Sequence, residues 1–323
     1  MVTPADPLRE LRALLDEGRY REVLARWGES DGAAADPSLA LGLATAAARL
    51  GELERAEQLA LQARERYRQR ADDDGRLRCS NLLGAVAFER GAVERATLEW
   101  GTALEAARAA GDTLMVARVS NNLGSARHLR GEVTEARSLF REALVAYQRL
   151  AARRFAAESA HNLGLTYREA DELDLAEQAA GEAVRHAELV AEPGLLALAL
   201  TGRAETRVAL GQVDLANADL DRAVALASGI DDRIGVAEAR RVRAALRLAI
   251  GDPAGAAAEA EAARETGAAL GSSLLQAEAA ALLATALASS GQTAAAASRR
   301  EEAKALFTRM GATGHLARLD RQA

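Results

Sequence analysis

Aromatic side chains are scarce in this chain, only 3% of its 323 residues. A single core of that length would need many bulky fillers, so one large globular core is excluded. No run alternates Val, Ile, Tyr or Phe with polar residues, which argues against strands. Cysteine is nearly absent as well. The lone thiol, Cys79, rules out an internal disulfide and fits a reducing compartment. The longest apolar stretches, near residues 40–48 and 277–288, are shorter than a membrane span and poor in large side chains, so no membrane insertion is expected. A basic excess is also missing: the formal charge is −6 and the pI about 5.5, which disfavours nucleic acid and anionic lipid as partners. The opening segment MVTPADPLRELRALLDEG has neither a basic n-region nor an apolar h-region, and the expected location is the cytoplasm.

Chemistry-bearing patterns are missing too. His128, His161, His186 and His315 show no ligand spacing with one another or with Cys79, so no zinc site is expected. Asp72–Asp74 lacks the alternating oxygen ligands of a calcium loop and reads as a helix cap. No phosphate-cradling glycine loop follows a strand, and no nucleophile–base set stands out. Arg64, Arg66, Arg68 and Arg70 alternate, which spreads them around a helix rather than along one basic stripe. The expectation is a protein that is not an enzyme and carries no cofactor.

What is present is a repeat. Gly51, Gly91, Gly131, Asp171, Gly211, Gly251 and Gly291 follow one another at 40-residue intervals. Five residues after each stands an alanine, from Ala56 to Ala296, and seven residues later another, from Ala63 to Ala303. Seven residues before each breaker the residue is always Gly or Ala: Ala44, Gly84, Gly124, Gly164, Ala204, Ala244, Ala284. Such a period marks a stacked array. In one copy, a helix over about residues 77–90 reverses at Gly91 into a second over 93–110, which Gly111-Asp112 stops. Gly84 and Ala96 leave room for close approach while Leu83, Val93, Trp100 and Leu104 fill the flanks. A hairpin this thin buries its apolar faces only by stacking on the next copy.

The spacing of Leu83-Gly84, Ala96, Trp100 and Ala103 resembles the tetratricopeptide repeat, over about residues 8–310. The unit here is longer than the usual one of about 34 residues. It is similar to the long variant in kinesin light chain, in spindle adaptors and in bacterial peptide receptors of the Rap and MalT kind. It departs from the family in lacking a proline after each second helix and, except at Tyr167, the large aromatic of the first helix. The resemblance implies an all-α superhelix of about eight helical hairpins with a short C-terminal capping helix. The expected divisions are a short N-terminal hairpin and connector over residues 1–36, seven repeats over 37–310, and a capping segment over 311–323.

The resemblance also implies that the first helix of each hairpin lines a concave, peptide-binding surface. Once packing positions are assigned, a polar stripe remains on those helices: Arg78 and Asn81; Arg118, Asn121, Asn122 and Ser125, with His128 one turn on; Glu158, His161, Asn162 and Arg168. Asparagine is an indifferent helix-interior residue, so its recurrence needs a reason. Two readings fit: an amide clamp on an extended peptide backbone, or hydrogen bonds to neighbouring helices. A second set, Arg203, Arg207, Arg241, Arg243 and Arg247 with Arg240 beside it, falls partly where the family pattern prefers large apolar residues. Glu205, Asp214, Asp219, Asp221, Glu238 and Glu259 are candidate internal partners; the alternative is an anion pocket. Taken together the groove candidates lean cationic, and the expected partner is a protein or peptide, an acidic or C-terminal-carboxylate segment. The expected function is a protein-interaction scaffold, and the alternative is a sensor whose superhelix changes shape around a small signalling peptide.

Overall fold

The computed structural model describes residues 7–28 and 36–321; the connector expected before residue 37 lies almost wholly outside them. Among the described residues there are seventeen α-helices and no strand. The chain divides into two compact units, Met1–Leu123 and Gly124–Ala323.

The first unit holds α1 (Pro7–Asp16) and α2 (Tyr20–Trp27), α3 (Pro37–Arg49) and α4 (Leu53–Gln69), and α5 (Asp73–Glu89) and α6 (Val93–Ala110). The division falls within α7 (Thr113–Leu129). The second unit continues with α8 (Val133–Arg149), α9 (Arg153–Glu169) and α10 (Leu173–Val190), α11 (Pro193–Ala209) and α12 (Val213–Gly229), and α13 (Arg233–Ala249) and α14 (Pro253–Leu270). It ends with α15 (Ser273–Ser289), α16 (Thr293–Met310) and α17 (Thr313–Arg321). Helix α5 begins four residues before the expected position, because the Asp72 carboxylate accepts the Gly75 N–H 2.8 Å away and caps it there.

From α3 to α16 the helices end the same way. At Gly91 the backbone turns left-handed, φ 76°, the Gly91 N–H reaches Phe88 O and the Ala92 N–H reaches Ala87 O, both at 2.8 Å. Such a paired closure satisfies carbonyls that the helix end would orphan. Positive φ recurs at 51, 71, 91, 111 and every twentieth residue on to 311, so the turn repeats at half the spacing of the sequence breakers.

Burial is distributed in small clusters, as an array requires. In the first unit Leu11, Leu14 and Val23 pack with Leu39, Leu43 and Ala46, and Ala44 and Ala60 pack with Leu83. In the second, Leu275 and Ala279 pack with Ala237 and Ala263. The small positions have partners of matched size. A Cβ on Gly84 would lie 2.5 Å from the Trp100 indole, and one on Gly124 would lie 2.7 Å from the Phe140 ring. Gly84 therefore makes room for the indole itself rather than for a bare backbone approach. At Gly164 the facing residue is Ala180, and there the backbones do close in, with Ala176 O and Ala180 N 3.6 Å from where a Cβ would stand.

Candidate functional site

The polar residues expected to line a groove fall in both units. In the first unit, Asn122 donates from Nδ2 to Asn81 Oδ1 at 3.1 Å, and the Asn81 carbonyl accepts the Trp100 Nε1–H at 3.1 Å. Two of the asparagines thus form a rung between α5 and α7. Arg78 is exposed and pairs with Asp74 at 3.0 Å, while Arg118 and Asn121 are half-buried on α7.

In the second unit, the first helices α9, α11, α13 and α15 stand side by side. A groove of about 300 Å³ crosses the N-terminal halves of α9, α11 and α13. Leu195, Leu198 and Ile234 are its apolar lining; Arg154, Glu158, Glu192, Asp232 and Glu238 are its charged groups. Asn162 and Ser125 are half-buried elsewhere on α9 and α7. His161 fits against α11 because residue 202 is glycine, where a Cβ would come within 2.3 Å of its Nδ1.

Beside the groove runs a network of partly buried charges. Glu205 on α11 meets Arg168 of α9 at 2.7 Å and Arg241 of α13 at 2.9 Å. Arg241 also meets Glu238 at 3.0 Å and Glu278 of α15 at 3.3 Å. His315 on α17 lies 3.0 Å from Glu278, His128 lies 3.0 Å from Glu169, and Arg318 of α17 pairs with Glu169. Burial opposes ionisation of Glu205, yet Arg168 and Arg241 hold its carboxyl well below the usual range. Burial pushes the Glu238 carboxyl up, and it pushes His161 down to about 4 and His128 to about 3, the latter helped by Arg318.

The arginines considered for an anion site are each met by a carboxylate. Asp219 accepts from Arg203 Nε at 2.8 Å, from Arg203 Nη2 at 2.7 Å and from Arg207 Nη1 at 2.7 Å. Arg243 pairs with Asp221 at 2.7 Å, Arg247 with Asp252 at 2.6 Å, and Arg240 lies 3.9 Å from Glu259. Among the described residues, no three His, Cys, Asp or Glu side chains are placed to hold a metal ion. None of the described helices is long and apolar enough to cross a membrane.

Residues 115–188 match the model of the family described as Tetratricopeptide repeat. A Rap protein solved with Competence and Sporulation Factor is 12% identical, covering 98% of this chain and 95% of its own, with a TM-score of 0.68. The chain has the tetratricopeptide repeat fold. Two further tetratricopeptide-fold neighbours are similar. The Rap conjugation gene regulator of plasmid pLS20, solved with the Phr* peptide, is 15% identical over 85% of this chain and 74% of that one, TM-score 0.64. Aspartyl phosphate phosphatase F from Bacillus subtilis is 13% identical over 91% and 74%, TM-score 0.66. No curated protein sequence matches the chain. At such identities the likeness shows the tetratricopeptide fold and nothing finer.

Sequence reasoning passed over Glu169, Glu278, His315 and Arg318, and a signal for Glu278 was available. Carried on in steps of 40, the position of Arg78 and Arg118 reads Glu158, Leu198, Glu238 and Glu278. The same stripe of these tetratricopeptide repeats is basic in the first unit and acidic in the second. Glu169, His315 and Arg318 had no such signal, because their contacts join segments far apart in the chain.

Proposed function

We propose that this protein binds an extended segment of another protein along the first-helix face of its second unit, acting by contact and not by catalysis, in the cytoplasm. The observation that carries this reading is the groove over α9, α11 and α13. Its lining of Leu195, Leu198 and Ile234 offers anchors to apolar side chains, and its charged groups can orient a backbone. Tetratricopeptide-fold proteins solved with the Phr* peptide and with Competence and Sporulation Factor support the mode of binding. Asn162, His161, Ser125 and Arg168 belong to the same reading as the flank of that face in the second unit. Arg78, Asn81, Arg118, Asn121 and Asn122 would form a separate amide-bearing row in the first. An acidic partner would require guanidiniums that the internal carboxylates now hold, so the charge of the groove and not of the arginines sets the expected partner.

The test is a peptide selected from a display library against the full-length protein, then titrated into Leu198→Glu. Leu198 is 41% exposed, so the fold tolerates the change. Binding is expected to weaken by about tenfold or more, equivalent to roughly 1.4 kcal/mol, with an unchanged circular dichroism spectrum. Equal affinity for both proteins sinks the groove. The pair Asn122→Ala and Asn162→Ala, measured in parallel, reports whether the amides take part.

A further inference from the structure

The charged network ends under a helix of the chain's own. Helix α17 is nine residues long, TGHLARLDR, and turns His315 and Leu319 inward, both buried, as is Ala312 just before it. Its contacts run both to the preceding helix, where His315 lies against the Phe307 ring and the Leu319 carbonyl accepts from Arg300, and to segments far off in sequence. Thr313 Oγ1 donates to Arg130 O at 2.8 Å, a bond across 183 positions of sequence. Gly314 stands against Gly131 so closely that a Cβ on either would meet the other's Cα within 3 Å. Arg318 pairs with Glu169 at the end of α9, and His315 with Glu278 on α15.

Remove α17 and Glu169 loses Arg318 while Glu278 loses His315, leaving Glu169 beside His128 and Glu278 sharing Arg241 with Glu205 and Glu238. Carboxylates in excess over guanidiniums make that seat acidic, and the nearby groove shares Glu238 and adds Glu158, Glu192 and Asp232. An acidic, partly desolvated surface favours a cationic occupant, because an anion there would be repelled and a neutral one would leave carboxylates unpaired.

We propose that α17 sits in the docking seat of a basic, leucine-bearing helical segment of a partner protein, so that the partner must displace α17 to bind. This rests on the peptide-binding reading above and adds to it the partner's charge and the resident competitor. A nine-residue helix is too short to be stable alone; the Glu169 ion pair, the contacts of His315 with Glu278 and the Phe307 ring, the Thr313 hydroxyl bond and the Arg300 bond to the Leu319 carbonyl hold it here. A short helix held by a few such contacts opens locally at lower cost than the core. The geometry of α17 defines what the partner offers: a cation three residues after a histidine or second cation, and a leucine one residue further on.

The probe is a fluorescent synthetic peptide of residues 311–323, GATGHLARLDRQA, titrated into the full-length protein and into full-length Arg318→Glu. In the variant the tether to Glu169 becomes a repulsion. Hydrogen exchange across 313–321 is expected to speed up, and the peptide to bind about tenfold or more tighter than to the unaltered protein. The same peptide with both arginines changed to glutamate should not bind. Arg318→Ala repeats the measurement with a milder change, in case the reversed charge disturbs folding. Unchanged exchange in both variants overturns the proposal, since the ion pair would then not hold the helix. Faster exchange without peptide binding also overturns it, and if the library-selected peptide still binds the groove, the peptide-binding reading survives. If that peptide fails as well, the failure lies with the broader reading. Dimers formed by exchange of α17 would assign the seat to a second copy of the chain and likewise overturn the proposal.

Discussion

Asp219 is 5% exposed and receives three hydrogen bonds from Arg203 and Arg207, while Arg207 also reaches Glu177 at 3.2 Å. Two guanidiniums converge on one buried carboxylate, so removing it strands two partly buried charges. Asp219→Ala is expected to cost about 3–5 kcal/mol in urea denaturation, the penalty for breaking a buried pair from one side. A loss below about 1 kcal/mol would mean that Glu177 or solvent takes over both guanidiniums. The arginines and Asp219 could be named from sequence as candidates. Choosing Asp219 over Asp214, Asp221 or Glu205 required knowing which helix face points where.

Helix termination shows what an element can hide. Glycine holds the left-handed position at 51, 91, 131, 211, 251 and 291, but Ala71, Ala151, Ala191 and Asp231 take the same conformation at the intervening turns. A left-handed alanine is disfavoured and carries no sequence signature, so the turns at Ala71, Ala151 and Ala191 escaped notice, whereas glycine marks those at 111, 271 and 311. At Ala191, φ 57°, tertiary packing of α10 and α11 imposes the turn that the side chain resists. Ala191→Gly relieves about 1–2 kcal/mol of backbone strain while adding about 0.4–1 kcal/mol of freedom to the unfolded chain. The balance is a gain of about 0 to 1.6 kcal/mol, visible as a melting temperature higher by about 1–3 °C. A lower melting temperature would mean that the alanine methyl packs better than the strain costs.

At the scale of the whole molecule, the charged network makes stability depend on pH. His161 and His128 titrate near 4 and 3 in the folded protein and near 6.5 when unfolded, so between these values the unfolded chain binds more protons. Their contribution is complete above about pH 6.5 and declines as pH falls toward 4 and then 3. Glu205, depressed by its two arginines, adds a loss of the same sign below its unfolded value near 4.5. Glu238, raised by burial, works oppositely, favouring the fold while protonated and losing that advantage as pH rises. Two histidines and one glutamate outweigh the single opposing group. The thermal midpoint is expected to fall steadily from pH 7 to pH 4, and a flat profile would contradict neutral, buried imidazoles.

The repeat and the all-helical hairpins follow from sequence alone, because they are local and recur every 40 residues, whereas the seating of Trp100 on Gly84 and of Phe140 on Gly124 came from the structure. Asn81 and Asn122, which bond between α5 and α7, were visible for the same reason. Only the tertiary structure decided that Asp219 neutralises Arg203 and Arg207, that Arg168 and Arg241 enclose Glu205, and that α17 returns to Arg130 and Glu169. Periodicity says which helix face a residue occupies, whereas the choice among several nearby opposite charges depends on distances set when distant segments meet.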